Sequence, residues 1–135
     1  MPDPRKAPEH GLVAAGGDLE PGTILAAYRR GIFPWPDRDG ELLWWSPDPR
    51  AIVPLEAFHE SRSLRRRQRQ GRFRVTWNTS CVEVMEGCAD RAEGTWIVPA
   101  MLAAYTRLHE LGWVQSVEVW RGDRLAGGLY GVAIG

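Results

Sequence analysis

No stretch of this 135-residue chain is apolar for the length that a bilayer crossing needs. The opening MPDPRKAPEH has no apolar core behind its charges, so neither a signal peptide nor a membrane anchor is expected there. Cysteine is limited to Cys81 and Cys88, with no CxxC pair. Seven residues apart on a segment that reads as helix, their Cα atoms stand roughly 10 Å apart, too far to bridge. Free thiols without a disulfide framework fit a reducing compartment, and a cytoplasmic location is the expectation. His10, His59 and His109 are scattered and spell out no metal site, so no metal is expected. The pair Gly16-Gly17 belongs to neither GxGxxG nor GxxxxGK followed by Ser or Thr, so turn glycines are the better reading.

Lysine is nearly missing as well: every one of the seventeen basic residues except Lys6 is arginine. A formal net charge of zero hides a separation. Residues 61–74, SRSLRRRQRQGRFR, hold seven arginines and no acid, so the remainder of the chain sums to −7. A like-charge run is most often a solvated helix face, but arginines held this close repel one another until a polyanion neutralises them, and phosphate is the natural candidate. Hydrophobic content of 44% and charged content of 25% are proportions of a globular protein, with room for one ordinary domain or a lobe packed on part of a larger one.

The other concentration lies between Arg29 and Arg50, RRGIFPWPDRDGELLWWSPDPR, with Trp35, Trp44 and Trp45 among four prolines. Proline-locked backbone carrying large rings suits a preformed slot for a planar group, whereas any single Trp is more often core filling. Around it the pattern predicts a helix over 21–30, with Pro21 at its first position, Leu19 and Ile24 at the staple positions, and Gly31 past its end. A short strand over 41–45 and a domain boundary near residue 50 follow, dividing the chain into 1–50 and 51–135. The basic run reads as a helix over 61–70. In RFRVTWN, Phe73, Val75 and Trp77 alternate with Arg72, Arg74 and Thr76, as in a half-exposed strand. Asn78 is placed to cap a helix over 79–89 with Val82, Met85 and Cys88 or Ala89 on one stripe. Pro99 opens a longer helix with Leu102, Tyr105, Leu108 and Leu111 at helical spacing. From Trp113 the period becomes two, and the two runs flanking Arg121-Gly122-Asp123 read as a hairpin. Gly127, Gly128 and Gly131 within its second arm suggest a bulge or a close approach by a ligand. Helices on a mostly antiparallel sheet make the expected class α+β, and an unpaired outer edge on the last strand suggests that further strands belong beside it.

The segments LVAAGGDLEPGTILAAYRRGIFPW, WWSPDPRAIVP, FHESRSLRR, FRVT, GTWIVPAMLAAYTRLHELG and SVEVWRGDRLAGGLYGVAIG, in this order from about Gly11 onward, resemble the leucyl/phenylalanyl-tRNA-protein transferases. The resemblance implies a small N-terminal domain followed by a GNAT-like acyltransferase domain that is incomplete here. It implies transfer of Leu or Phe from aminoacyl-tRNA to the N-terminal Arg or Lys of an acceptor protein, with no CoA and no other cofactor. A pyrophosphate loop of the Gln/Arg-x-x-Gly-x-Gly/Ala kind is correspondingly missing between a strand and a helix.

Carried onto this sequence, the resemblance implies that Trp35 and Trp96 surround the 3′-terminal adenosine and aminoacyl group. Leu129 stands in the pocket wall, where relatives often have Met, and Arg62, Arg66 and Arg69 meet the acceptor stem. Single-stranded RNA ends are held by stacking on aromatic rings and their phosphates by arginine, which agrees with those roles. The family's later GES-like motif and its acidic and amide residues proposed for catalysis have no counterpart in this sequence. Either a fragment of the family's length or a shortened homologue without its chemistry fits, and a fragment, inactive alone, is the expectation. No catalytic base is identifiable; Glu93 and Glu118 are the acids nearest the matched motifs, with a surface role expected for each. A non-catalytic RNA-binding module and a CoA-dependent acetyltransferase stay open as alternatives.

Overall fold

The computed structural model describes residues 2–134. Strand β1 (Leu12–Ala15) leads to helix α1 (Pro21–Tyr28), then β2 (Phe33–Pro34) and β3 (Leu43–Trp45). Pro21 occupies the first turn of α1, where its missing N–H is no loss, and Gly31, at φ 74°, ends the segment. The three strands form an antiparallel sheet in the order β1-β3-β2. Pro34 is tolerated because β2 is an edge. On the central strand the Trp44 side chain is buried, and its Nε1 donates to the Gly16 carbonyl at 2.9 Å.

Helix α2 (Arg62–Arg69) begins at Ser61, whose hydroxyl accepts from the Leu64 amide, and none of its residues is buried. Then come β4 (Arg74–Trp77), α3 (Cys81–Ala89), α4 (Pro99–Glu110) and the hairpin of β5 (Val114–Arg121) with β6 (Arg124–Val132). The second sheet is antiparallel in the order β4-β5-β6, so the expected α+β arrangement is what forms. No helix among the described residues is long and apolar enough to cross a membrane.

Two local expectations are corrected, and a third is made specific. Asn78 does not cap α3: it takes the left-handed conformation, φ 55°, its Oδ1 accepts from the Ser116 amide at 2.7 Å, and Ser80 is the N-cap residue. The buried stripe of α3 is Cys81, Val84 and Met85, whereas Val82 points out, because the helix lies against both α4 and the sheet. The close approach at Gly128 is made by α3, through Val84, and the expected bulge is present in the second arm: Val119 pairs with Gly127 and Trp120 with Leu125, which leaves Ala126 as the extra residue beside Gly127.

The alternation in β4 is present with its polar side inward. Val75 and Trp77 are each 62% exposed, while Thr76 turns toward Ser116 and Glu118 beneath α3. A single core joins both parts of the chain: Ile24, Ile32 and Trp44 from the first half meet Met85, Met101 and Leu108 from the second.

Candidate functional site

Pro34 and Pro36 fix the backbone on either side of Trp35, and the Trp45 Nε1 donates to the Trp35 carbonyl at 3.0 Å. Sixty-one residues later, Trp96 is set by a short loop in which Thr95 Oγ1 accepts from the Ile97 amide at 3.0 Å, just before Pro99 starts α4. The two indoles stack, with centroids 4.9 Å apart and planes at 22°. They stand in an open cleft of about 1430 Å³ between the loop after β2, the loop before α4 and the end of β6.

Behind the stack the aromatic wall continues inward. Trp96 meets Tyr105 edge-on at 6.0 Å, and Tyr105 meets Tyr130 edge-on at 6.2 Å. The hydroxyls of Tyr28 and Tyr105 lie 2.7 Å apart in a hydrogen bond. Burial pushes the Tyr105 hydroxyl far above its ordinary value, reinforced by Tyr28 and Tyr130. Burial also raises Tyr28, and it raises Tyr130 to about 12. These phenols stay neutral at physiological pH, so they can donate and accept hydrogen bonds to a bound group but do not act as bases. Tyr105, legible in the sequence only as one position of a helical stripe, is thus the floor of the cleft.

The cleft mouth is charged with both signs, by Asp37, Arg38, Asp39, Arg91 and Glu93. Asp37 is committed to its own loop, since its Oδ1 accepts from the amides of Asp39 and Glu41. Arg62, Arg66 and Arg69 are exposed, and their spacing of four and three residues aligns them along one side of α2. No α2 residue lines the cleft. Leu129 is also outside it: its side chain is 70% exposed on the outer side of β6, while its neighbours Tyr130 and Gly131 face the cleft.

Glu118 is not a surface acid, and that expectation is overturned. It is fully buried and does not border the cleft. Its carboxylate accepts from the Ser116 hydroxyl at 2.6 Å, the Thr76 hydroxyl at 2.5 Å and the Thr79 hydroxyl at 2.8 Å. The amides of Thr79 and Ser80 at the start of α3 approach it at 3.4 and 3.3 Å. Burial alone pushes the carboxyl up, but the hydroxyls of Ser116, Thr76 and Thr79 and the Ser80 amide together outweigh it and hold the group at about 2. An ionised carboxylate so saturated with donors is a structural anchor. The signal for it was the inward alternation of Ser116 and Glu118 between Val117 and Val119.

Comparison with known proteins adds the identity of the chain's relatives. A family described as leucyl/phenylalanyl-tRNA protein transferase matches residues 52–135, and a second, described as the N-terminal domain of that transferase, matches residues 17–48. A leucyl/phenylalanyl-tRNA-protein transferase of Anaeromyxobacter sp. (strain Fw109-5) is 53% identical over 139 residues, covering 100% of this chain and 59% of the relative. Transferases of the same name from Escherichia coli O1:K1 / APEC and Shigella boydii serotype 18 are each 55% identical over 127 residues, covering 93% of this chain and 54% of theirs. The chain therefore spans little more than half the length of these curated relatives. With a family match over most of its length and relatives above half identity, the chain belongs to the leucyl/phenylalanyl-tRNA protein transferase family.

Proposed function

We propose that this chain carries the part of an aminoacyltransferase that holds the acyl-bearing end of an aminoacyl-tRNA. The reaction is transfer of Leu or Phe to the N-terminal Arg or Lys of an acceptor protein. The observation that carries the reading is the stacked Trp35-Trp96 pair over a neutral, tyrosine-lined cleft. A third ring between two others needs roughly 7 Å of separation, two van der Waals layers. At 4.9 Å the indole pair has no such gap, so the terminal adenine extends the stack on the open side of Trp35, which is 46% exposed. The aminoacyl group then points toward Tyr105 and Tyr130, and the acceptor stem runs to Arg62, Arg66 and Arg69. A division near residue 50 into an N-terminal domain and an acyltransferase domain is supported by the separate family matches to 17–48 and 52–135.

The chemistry asks little beyond positioning. The acceptor amine attacks the ester carbonyl, the amide bond forms, the ester C–O bond breaks, and the terminal ribose leaves as its hydroxyl after a proton moves off the nitrogen. An aminoacyl ester is already activated, so holding a neutral amine against the carbonyl supplies much of the rate. Glu118 is too enclosed to take that proton, and the tyrosines are too weakly acidic to exist as phenolates. RNA binding without transfer is the second reading, favoured by the independence of α2 from the cleft. Transfer of labelled Leu or Phe from tRNA to an Arg-initiated peptide, assayed in a full-length family member carrying this region, separates the two.

Two outcomes test the placement. Trp96→Ala is expected to weaken binding of an aminoacyl-adenosine mimic by about 1–3 kcal/mol without altering its salt dependence. Unchanged affinity together with a lowered melting temperature would return Trp96 to the core. Replacing Arg62, Arg66 and Arg69 with Ala is expected to flatten the slope of log affinity for tRNA against log salt by up to roughly 2–3, about 0.7–0.9 per lost phosphate contact. If the slope is the same, α2 lies outside the interface.

A further inference from the structure

The basic surface of this chain does not end with α2. Gly71 follows the helix, and Arg72 and Arg74 carry the run to the first residue of β4. Register sets Arg74 opposite Trp120 on β5, and the next residue, Arg121, opposite Arg124 on β6. Arginines far apart in sequence are thus gathered at the hairpin end of the second sheet, where all of them are exposed. Arg121 and Arg124 face each other directly, and like charges so placed destabilise a sheet unless an anion lies between them. Asp123, in the turn, pairs with neither: the ion pairs among the described residues are Asp3–Arg5, Glu60–Arg65 and Glu110–Arg107. The Arg74 guanidinium lies 5.3 Å from the Trp120 ring, and that ring is fixed by its Nε1, which donates to the Thr76 hydroxyl at 2.8 Å. A cation laid on a fixed ring is oriented before a ligand arrives, which lowers the entropy cost of binding.

We propose that the hairpin end of β4-β5-β6, through Arg74, Arg121 and Arg124, is a second phosphate-binding surface for the same RNA, and that it meets the paired stem rather than the unpaired 3′ end. The inference rests on the reading of the cleft as the seat of the terminal adenosine. Tyr130 borders that cleft, and Arg124 lies six residues back along β6, roughly 20 Å away at about 3.3 Å per residue. At about 3.4 Å per stacked nucleotide, the span is on the order of six nucleotides from the 3′ end. The α2 arginines reach the same stretch, since Arg69 and Arg74 are joined by at most about 18 Å of chain. RNA rather than an acidic protein is the occupant because the patch continues the α2 run. A phosphate backbone also supplies closely spaced charges that arginines neutralise without reading bases.

The measurement is binding of two RNAs to this chain across a salt series: a 3′-terminal tetranucleotide, and a minihelix that adds the acceptor stem. In Arg121→Ala/Arg124→Ala the slope of log affinity against log salt for the minihelix is expected to flatten by roughly 1.5, about 0.7–0.9 for each lost contact. The tetranucleotide slope stays that of the parent. A minihelix slope equal to the parent's overturns the proposal, and so does equal flattening for both RNAs, which puts the hairpin at the unpaired end. Unchanged minihelix binding with weaker binding of polyglutamate assigns the surface to an acidic protein and also overturns it. Relief of the like-charge pair holds or raises the melting temperature at low salt, so lost binding is not lost folding. Should the variant melt lower, Arg121→Lys/Arg124→Lys decides: a parental slope supports contact through charge, and a flattened slope overturns it. Failure of the cleft reading shows separately, as a tetranucleotide whose affinity Trp96→Ala does not change.

Discussion

Glu118→Ala is expected to cost the fold roughly 3 kcal/mol, since it strands several buried donors at about 1–3 kcal/mol each, less what they recover by bonding one another. The substitution removes the shared acceptor of three hydroxyls and leaves the Thr79 and Ser80 amides at the start of α3 without the carboxylate they approach. Buried donors stranded in this way bear their full desolvation cost. Acid gives a second, independent reading. The carboxyl titrates at about 2 in the fold against 4.5 ordinarily, so its folded value is depressed. Its contribution is fully present above pH 4.5 and is lost as the pH falls toward 2. A shift of that size corresponds to about 3 kcal/mol of stability. Urea unfolding between pH 2 and 6 should therefore show a steep loss of stability in the parent that Glu118→Gln lacks, while Gln itself lowers stability at pH 6 because its NH₂ faces hydroxyl donors. A Glu118→Gln protein with the parent's stability and acid profile would refute the assignment.

The elements legible in the sequence are those whose ends carry chemistry. Pro21 and Pro99 open α1 and α4, Gly31 and Gly112 follow their ends in the left-handed region, and Ser61 caps α2. The hairpin is legible because β5 and β6 run for eight and nine residues, long enough for a period of two to repeat. β1 and β2 are not legible, since LVAA is apolar throughout with no alternation and Phe33–Pro34 is two residues with a proline. In β4 the pattern gives two sides but not which is inward, because inward polarity depends on Glu118, forty-one residues away from Trp77, supplying a buried charge to satisfy Thr76.

The cleft was legible in pieces. Proline on both sides of Trp35 marks a rigid ring carrier, but nothing in the spacing brings Trp96 onto it; only tertiary packing through Trp44, Tyr28 and Tyr105 does so. Leu129 illustrates the opposite case. Strand alternation sends it to the outer side while Tyr130 and Gly131 border the cleft, a distinction set by the register of β6 against β5.

Gly128→Val should destabilise the protein by about 3 kcal/mol, the upper end of the usual cost of overfilling a packed interior. Strand propensity alone argues the other way, since valine suits a strand and glycine weakens one, each by no more than about 1 kcal/mol. Geometry decides which wins. A Cβ at Gly128 would lie 2.6 and 2.9 Å from the two γ-carbons of Val84 and 3.0 Å from the Val117 carbonyl oxygen. Both branches of Val84 are in the way, so rotating its side chain exchanges one clash for another, and the carbonyl belongs to the central strand. The helix α3 must lift from the sheet, which also loosens the amides of Thr79 and Ser80 from Glu118, the residue paired with Gly128 across the strands. Combining Gly128→Val with Val84→Ala should recover most of the loss, so the cost of the double change is smaller than the sum of the single changes. Denaturant melts of the two single variants and the double variant measure the coupling, and strict additivity would show that α3 and β6 do not meet at this point.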